Sequence, residues 1–465
     1  MALGRRKDER QEELFVPHDR LPRSEGHAFY RQLNKLLAEA GFDRFVEKLC
    51  APYYQPSGTP GRSSIPPGVY FRMLLVGYFE GIGSQRGIAW RCHDSLSLRE
   101  FLGVPLSEDA PDHSRLTRVR DRLPLEVHAA AFQFVLALAA EKGLLTGKTV
   151  GVDSTTLEAS AAMKSIVRKE TGEDWRAYVV GLMKEQGAIE PDAEPTDEEI
   201  RRFDKRRKNK KVSNEDWESP TDPDARIAKM KDGRTHLAYK AEHTVDLDSE
   251  LILAAEVYHA DQADQHTLVD SVMEAQVHLN ESGARATIEE AAADKGYHAA
   301  EQIELADSLN LRTYIPEPER KHKLRWTDKP PELKAAVYAN RRRTKTDKSK
   351  RLQRLRSERV ERSFAHVCET GGARRTWLCG IDKVRKRYLV SALARNLGVL
   401  MRALCGMGTP RGLQQEGGGD DSLAALMRLA RLAVRSFSIA LTTLAALATK
   451  LPRHPTNRRG HALAA

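Results

Sequence analysis

At Lys148 the periodicity of the chain changes, and that change limits the fold more than any other feature. Ahead of it, apolar residues return at spacings of three and four. Phe29, Leu33, Leu36, Leu37, Phe42, Phe45, Val46 and Leu49 form one such stripe, the pattern of a helix with a single buried face. Pro66-Pro67 opens a second helix from Val69 to about Glu80, and Asp112 is the N-cap of a third that stops before Pro124. A long apolar helix from Leu125 to Lys142 then closes at Gly143. Behind Lys148, TVGVDST is short, β-branched and apolar, the composition of a buried strand. An all-α N-terminal region followed by an α/β region is therefore expected.

The second region carries its own alternation. HLAYKAEHTVD (236–246) and LILAAEVYH (251–259) read as a hairpin around Asp248-Ser249, a helix covers 264–280, and ATIEEAAAD (286–294) is a strand. Helix 299–309, strand 311–315, a helical stretch from about Ser349 to Val367 and a helix from Lys383 to Leu404 follow. The stretch 164–232 is rich in charge, Pro and Asp and reads as a polar insertion or mobile loop. The expected division is a charged arm (1–26), a helical domain (27–147), an α/β domain (148–404) with the polar insertion at 164–232, a linker (405–421), an amphipathic helix (422–450) and a tail (451–465).

Charge narrows the partner. The 75 lysines and arginines exceed the 65 acids by ten. Between Pro316 and Arg362 stand 17 basic and 7 acidic residues, so this one segment carries the whole excess and the rest of the chain is neutral. A local basic stretch of that kind attracts phosphate backbone. Five scattered cysteines with no Cys-x-x-Cys pair give neither a disulfide framework nor a zinc knuckle, and a reducing cytoplasm is expected. MALGRRKDERQEELF has no apolar core and does not read as a secretory signal. The longest uncharged run near the other end, Ser436 to Thr449, has 14 residues, short of the ~18 of a spanning helix.

Two strands each end on an aspartate, Asp153 and Asp294, and a later helix in the basic stretch contributes Glu361. Carboxylates at the carboxyl ends of strands face the crevice where α/β sheets bind ligands. Three of them can hold two magnesium ions on either side of a phosphodiester. On spacing alone, an aspartate closing a strand is more often a turn or cap residue than a metal ligand.

The surrounding words are more specific. GVDSTTLEA, ADKGYHAAEQ and RVERSFAHVCETGGARRTWLCG resemble, in order, the three catalytic blocks of DDE-class insertion-sequence transposases, and DHSRLTRVRDRL (112–123) resembles the end of that family's N-terminal helical region. The similarity spans about residues 65–405. It implies an α/β ribonuclease-H-like mixed-sheet core and cutting and joining of double-stranded DNA at the terminal inverted repeats of a mobile element. It further implies Mg2+ as cofactor, two ions per site with Mn2+ able to substitute, and a homodimer in the DNA complex. Asp153, Asp294 and Glu361 would hold the metals. Lys295, Gly296 and Tyr297 match the motif after the second aspartate, with Lys295 or Tyr297 touching phosphate. Where relatives carry tyrosine, arginine and lysine around the glutamate, this chain has Arg354, Ser357 and Cys368, and Glu358 is a rival third carboxylate. An inactive DNA-binding descendant and a Mg2+-dependent nuclease without joining are the alternatives.

Further DNA contacts are expected from arginines. Arg115, Arg118 and Arg122 share one helix face and suit a phosphate or groove contact as well as they suit solvent. Arg341, Arg342, Arg343, Arg354 and Arg362 lie in the basic stretch, and Lys205 to Lys211 suits a non-specific phosphate contact about as well as it suits a solvated loop. His243, His259 and His266 have no metal-ligand spacing with a cysteine. No membrane partner is expected.

Overall fold

A computed structural model describes residues 27–55, 64–207, 213–230, 233–319, 326–327 and 329–410. The N-terminal arm, Lys208 to Lys211, most of the 405–421 linker, the amphipathic helix 422–450 and the tail lie outside the described residues.

The N-terminal layer is helical: α1 (Ala28–Glu39), α2 (Phe42–Cys50), α3 (Pro67–Glu80), α4 (Gln85–Asp94), α5 (Leu96–Leu102), α6 (His113–Arg122) and α7 (Leu125–Glu141). The stripe expected to be one helix is two. Gly41 takes φ +71°, a left-handed turn that ends α1 and restarts the chain as α2, while both pieces keep their apolar residues on the same core. Buried Arg72 of α3 binds the layer together, donating to both carboxylate oxygens of Asp43 (3.0 and 2.7 Å), to Asn34 Oδ1 (2.7 Å) and to the Phe101 carbonyl (2.9 Å). Asp112 caps α6 by accepting from the Ser114 and Arg115 amides, as its sequence position predicts.

The α/β layer opens with β1 (Thr149–Glu158), then β2 (Val167–Arg168), α8 (Trp175–Glu185), α9 (Asp197–Arg206), β3 (Trp217–Glu218) and β4 (Arg226–Lys229). The 164–232 stretch is thus not a plain loop. Val179, Met183 and Ile200 form a small core of their own, and Thr196 and Glu199 make a capping box at the start of α9. Then come β5 (Thr235–Asp246), β6 (Ile252–His259), α10 (Leu268–Glu281), β7 (Glu290–Ala292), α11 (Ala300–Ser308), β8 (Arg312–Tyr314), α12 (Pro331–Thr344), α13 (Asp347–Phe364) and α14 (Ile381–Cys405).

The main sheet is mixed. β1 is central, antiparallel to β5 on one side and parallel to β7 on the other; β8 continues the parallel side, and β6 pairs antiparallel with β5. β4 extends the same edge of β5 as β6, against residues Thr235 to Ala238. The turn from β5 to β6 is fixed to the root of β1 by Asp246. Its fully buried carboxylate accepts from Thr146 Oγ1 (2.7 Å), Thr146 N (3.2 Å), Gly147 N (3.0 Å), Asp248 N (3.0 Å) and Ser249 Oγ (2.7 Å). α14 is long and apolar enough to cross a membrane by length and composition, yet most of it is buried, packed on α7, α3 and β6. Its Asn396 brackets the first residue of β6, accepting from the Ile252 amide (2.9 Å) and donating to the Ile252 carbonyl (2.8 Å).

Candidate active site

β1 was expected to deliver Asp153 at its carboxyl end; instead the strand runs on to Glu158 and Asp153 is mid-strand. The reason is asymmetry of pairing. On the antiparallel side β5 stays paired as far as Glu158↔Ala238, whereas on the parallel side β7 follows β1 only through Gly151↔Ala292. Asp153 and Asp294 each follow that last pair by two residues, Asp153 still on β1 and Asp294 just beyond the end of β7, where the two strands part. A fork beside a central strand is the crevice that α/β sheets use for ligands.

Local bonds orient both aspartates. Asp153 Oδ1 accepts from the Ser154 amide (2.8 Å), and Oδ2 accepts from Arg356 Nη1 of α13 (2.7 Å). Asp294 caps the short 3-10 turn Lys295–Tyr297, accepting from the Gly296 amide (2.7 Å). A further acid, Asp264, lies near Asp294 and on the Ser154 side of β1: its Oδ1 accepts from Ser154 Oγ (2.8 Å) and Lys240 Nζ (3.1 Å). A β-carbon on Gly296 would sit 3.0 Å from Asp294 Oδ1 and 3.5 Å from Asp264 Oδ2, so glycine there lets the turn run between the two carboxylates.

Below this surface Glu242 of β5 is buried and accepts from Thr267 Oγ1 (2.7 Å), Tyr297 OH (2.7 Å) and Ser271 Oγ. Burial pushes its carboxyl above the usual range, against the pull of those hydroxyls. Tyr297 is therefore a buried prop of the turn, while Lys295 is exposed at its rim.

α13 lies across the fork. Gln353 Nε2 donates to the Ala293 carbonyl (3.0 Å) and the Tyr314 carbonyl (2.6 Å), tying the helix to the ends of β7 and β8. Gly151 permits close approach, since a β-carbon there would meet Val360 Cγ2 at 3.0 Å and Arg356 Cγ at 3.2 Å. Farther along, His243 of β5 hydrogen bonds Ser363 Oγ (2.8 Å) and Tyr388 OH (2.9 Å) and stacks on Phe364 (4.1 Å). Complete burial holds the His243 pKa well below the ordinary histidine value, so the ring is neutral and structural.

Glu361 is exposed on this helix and accepts from Ser357 Oγ (2.9 Å). Its rival Glu358 is exposed too and accepts from Arg362 Nη2 (2.6 Å), while Arg362 also donates to Glu250 (2.7 Å). Arg354 and Arg342 are exposed. Arg341 is held by Glu317 (2.7 and 3.0 Å), and Arg343 donates to the Thr313 carbonyl (3.0 Å). In α6, Arg118 and Arg122 are exposed, Arg122 lies over the Tyr54 ring (4.8 Å), and Arg115 is half-buried near Asp112 (3.9 Å). With all three arginines changed to glutamine, the slope of log affinity for DNA against log salt is expected to fall by about 2–3, read by fluorescence anisotropy. An unchanged slope would remove this face from the interface.

Among the described residues no three His, Cys, Asp or Glu side chains gather closely enough to hold an ion. In kind the donors still suit a hard divalent cation. Asp153 on β1 and Asp294 just past the end of β7 offer carboxylate oxygens, and Asp153 already carries a cationic group, the Arg356 guanidinium. The sequence reading did not find Arg356, Asp264, Lys240 or Ser154 as members of the site. Ser154 lies inside the first block and Arg356 just ahead of the third, whereas Lys240 and Asp264 lie far from every block, and all of these pairings depend on the tertiary fold.

Comparison with known families gives two matches. A family described as "Transposase domain (DUF772)" matches residues 15–122, and one described as "Transposase DDE domain" matches residues 317–401. The first spans the helical layer to the end of α6, and the second spans α12, α13 and most of α14, including Glu361. No curated protein matches the chain.

Proposed function

The chain is a DDE transposase of the insertion-sequence kind, and from that premise we propose that it cuts and joins double-stranded DNA at the terminal inverted repeats of its own element. The observation that carries this reading is the fork between β1 and β7, whose last pair, Gly151 and Ala292, precedes Asp153 and Asp294 by two residues each, with α13 bonded to Asp153 through Arg356. The sheet order β6-β5-β1-β7-β8, antiparallel then parallel about β1, supports a ribonuclease-H-like core.

DDE transposases generally use a divalent metal. In this chain Asp153, Asp294 and Glu361 would hold two Mg2+ ions, or Mn2+ in their place. Bound there, the ions would lower the pKa of an attacking water or 3′-hydroxyl and stabilise the departing oxygen. The protein's own groups do the positioning. Ser154 N and Gly296 N fix one oxygen of each aspartate, and Gln353 holds α13 over the fork. Arg356, once released from Asp153, stands ready for a phosphate oxygen, and exposed Lys295, Arg342 and Arg354 draw in the backbone. A homodimer would bring the two element ends together, working on DNA in the cytoplasm.

Because Arg356 occupies Asp153, Arg356→Gln is expected to tighten Mn2+ binding severalfold in a calorimetric titration of the DNA-free protein. Equal affinity would mean that the guanidinium does not compete. The function itself is tested with a labelled duplex carrying the element's end, Mg2+ and a plasmid target. Joined products support the reading, cleavage without joining makes the protein a nuclease, and binding alone makes it an inactive descendant.

A further inference from the structure

The turn between β5 and β6 holds a residue whose backbone does not suit its type. Glu250 takes φ +67°, and it and Asn310 are the two non-glycine residues with positive φ among those described. Glycine would hold that conformation without strain, so what glutamate brings to the turn is its side chain. That side chain lies between two arginines. Its Oε1 accepts from Arg362 Nη1 of α13 (2.7 Å). Its Oε2 is buried without a hydrogen-bond partner, 4.0 Å from Arg395 Nη2 of α14. Arg395 is buried too and donates through Nη1 to the Glu250 carbonyl. Burial lowers the Arg395 pKa to about 10, which leaves it charged at neutral pH and facing the Glu250 carboxylate. Arg395 and its neighbour Asn396 thus fix the turn to α14, and Glu250 passes that anchorage on to α13.

Arg362 directly follows Glu361. On a helix of about 3.6 residues per turn, adjacent side chains leave the axis about 100° apart, so a tether on one sets the direction of the other. The remaining contacts of α13 act at other points: Gln353 and Arg356 hold earlier turns, and Ser363 meets His243 on the sheet side. The Arg356 tether is bonded to Asp153, and a metal ion that takes Asp153 would loosen it. Glu250, through Arg362, is then a charged anchor left next to Glu361. Arg362 was expected at the DNA, yet its two terminal nitrogens are taken by Glu250 and by Glu358 (2.6 Å).

We infer that Glu250 is a positioning residue: through Arg362 it fixes the roll of α13 about its axis, and so the direction in which Glu361 leaves the helix. The inference rests on the reading of Glu361 as a metal-holding carboxylate. Arg362→Ala, a change at a partly exposed helix position, is expected to weaken Mn2+ binding by the full-length, DNA-free protein about tenfold in a calorimetric titration. Glu250→Gln keeps the shape and removes the charge, so it should weaken binding severalfold. Arg362→Lys should stay within about threefold of the unaltered protein, since the ion pair to Glu250 can re-form. Because both changes act on one link, the Glu250→Gln/Arg362→Ala double variant should bind no more weakly than Arg362→Ala alone. In a Glu361→Ala background, Arg362→Ala should change nothing further, which separates positioning of Glu361 from a general loosening of the fold. Affinity for an element-end duplex should stay within about twofold, with an unchanged salt slope. Unaltered Mn2+ affinity in Arg362→Ala overturns the inference, as does an equal loss in the Glu361→Ala background. So does a salt slope that falls by about one while Mn2+ affinity holds, which would make Arg362 a phosphate contact. If Glu250→Gln does not fold, Arg362→Ala decides the matter. Mn2+ affinity that Asp153→Ala and Glu361→Ala both leave unchanged would instead count against the proposed metal site, and would take this inference with it.

Discussion

Alanine at Asp153, Asp294 or Glu361 is expected to lower Mg2+-dependent cleavage of an end-bearing duplex by about a thousandfold or more, because losing a metal-holding carboxylate removes several kcal/mol of charge stabilisation at roughly 1.4 kcal/mol per tenfold. End binding should stay within about threefold, since phosphate contacts elsewhere carry the affinity. The two aspartates and the glutamate are unequal in their risk to folding. Asp153 pairs with Arg356, which is 12% exposed, so its loss leaves a guanidinium short of a partner, whereas Glu361 is exposed and accepts from Ser357. Circular dichroism on each variant separates lost chemistry from a lost fold. Glu358→Ala is the control on the same helix and should keep cleavage. If Glu358→Ala abolishes cleavage and Glu361→Ala does not, the third carboxylate is Glu358. Retained cleavage in Asp153→Ala or Asp294→Ala would remove that aspartate from the site.

Asp246→Ala should be the most damaging change to stability outside the apolar core. The carboxylate takes five hydrogen bonds in a fully buried setting, and its removal leaves donors of Thr146, Gly147, Asp248 and Ser249 without an acceptor. At about 1–3 kcal/mol for each buried donor left unpaired, partly relieved by water or rearrangement, a loss of about 3–5 kcal/mol is expected. In thermal unfolding that corresponds to a fall of about 10 °C in Tm. The same bonds set where β1 begins, so surviving folded protein should also cleave poorly. A fall of less than about 2 °C would mean that the turn finds other partners.

The sequence made some of this plain. Strands and helices with strong periodicity, such as β5, β6, α3, α7 and α14, lie within a few residues of their expected places, because a two-residue or a three-to-four-residue repeat of burial is written directly in side-chain type. The break between α1 and α2 was hidden because the apolar spacing continues straight through Gly41, and only the backbone angle there reveals two helices. α8 and α9 were hidden because three buried residues suffice for their core, and the surrounding charge dominates the composition. In the site, the blocks around Asp153, Asp294 and Glu361 announced themselves. The partners of those residues did not: Arg356 reaches Asp153 across 203 positions, and Ser154 reaches Asp264 across 110. Such pairs are made by the docking of α13 and by the turn after β6, neither of which has a local signature.

One consequence of α14 concerns how copies of an element decay. Every proposed metal-holding carboxylate lies before residue 362, yet the helix that closes the sheet, packs on α3 and α7 and grips Ile252 through Asn396 lies after residue 380. A frameshift or stop codon between the two would leave a gene that still encodes all three carboxylates and yields a protein whose sheet edge has nothing to rest on. Genomic copies truncated there should be silent, although a survey of their acidic residues alone would count them as intact.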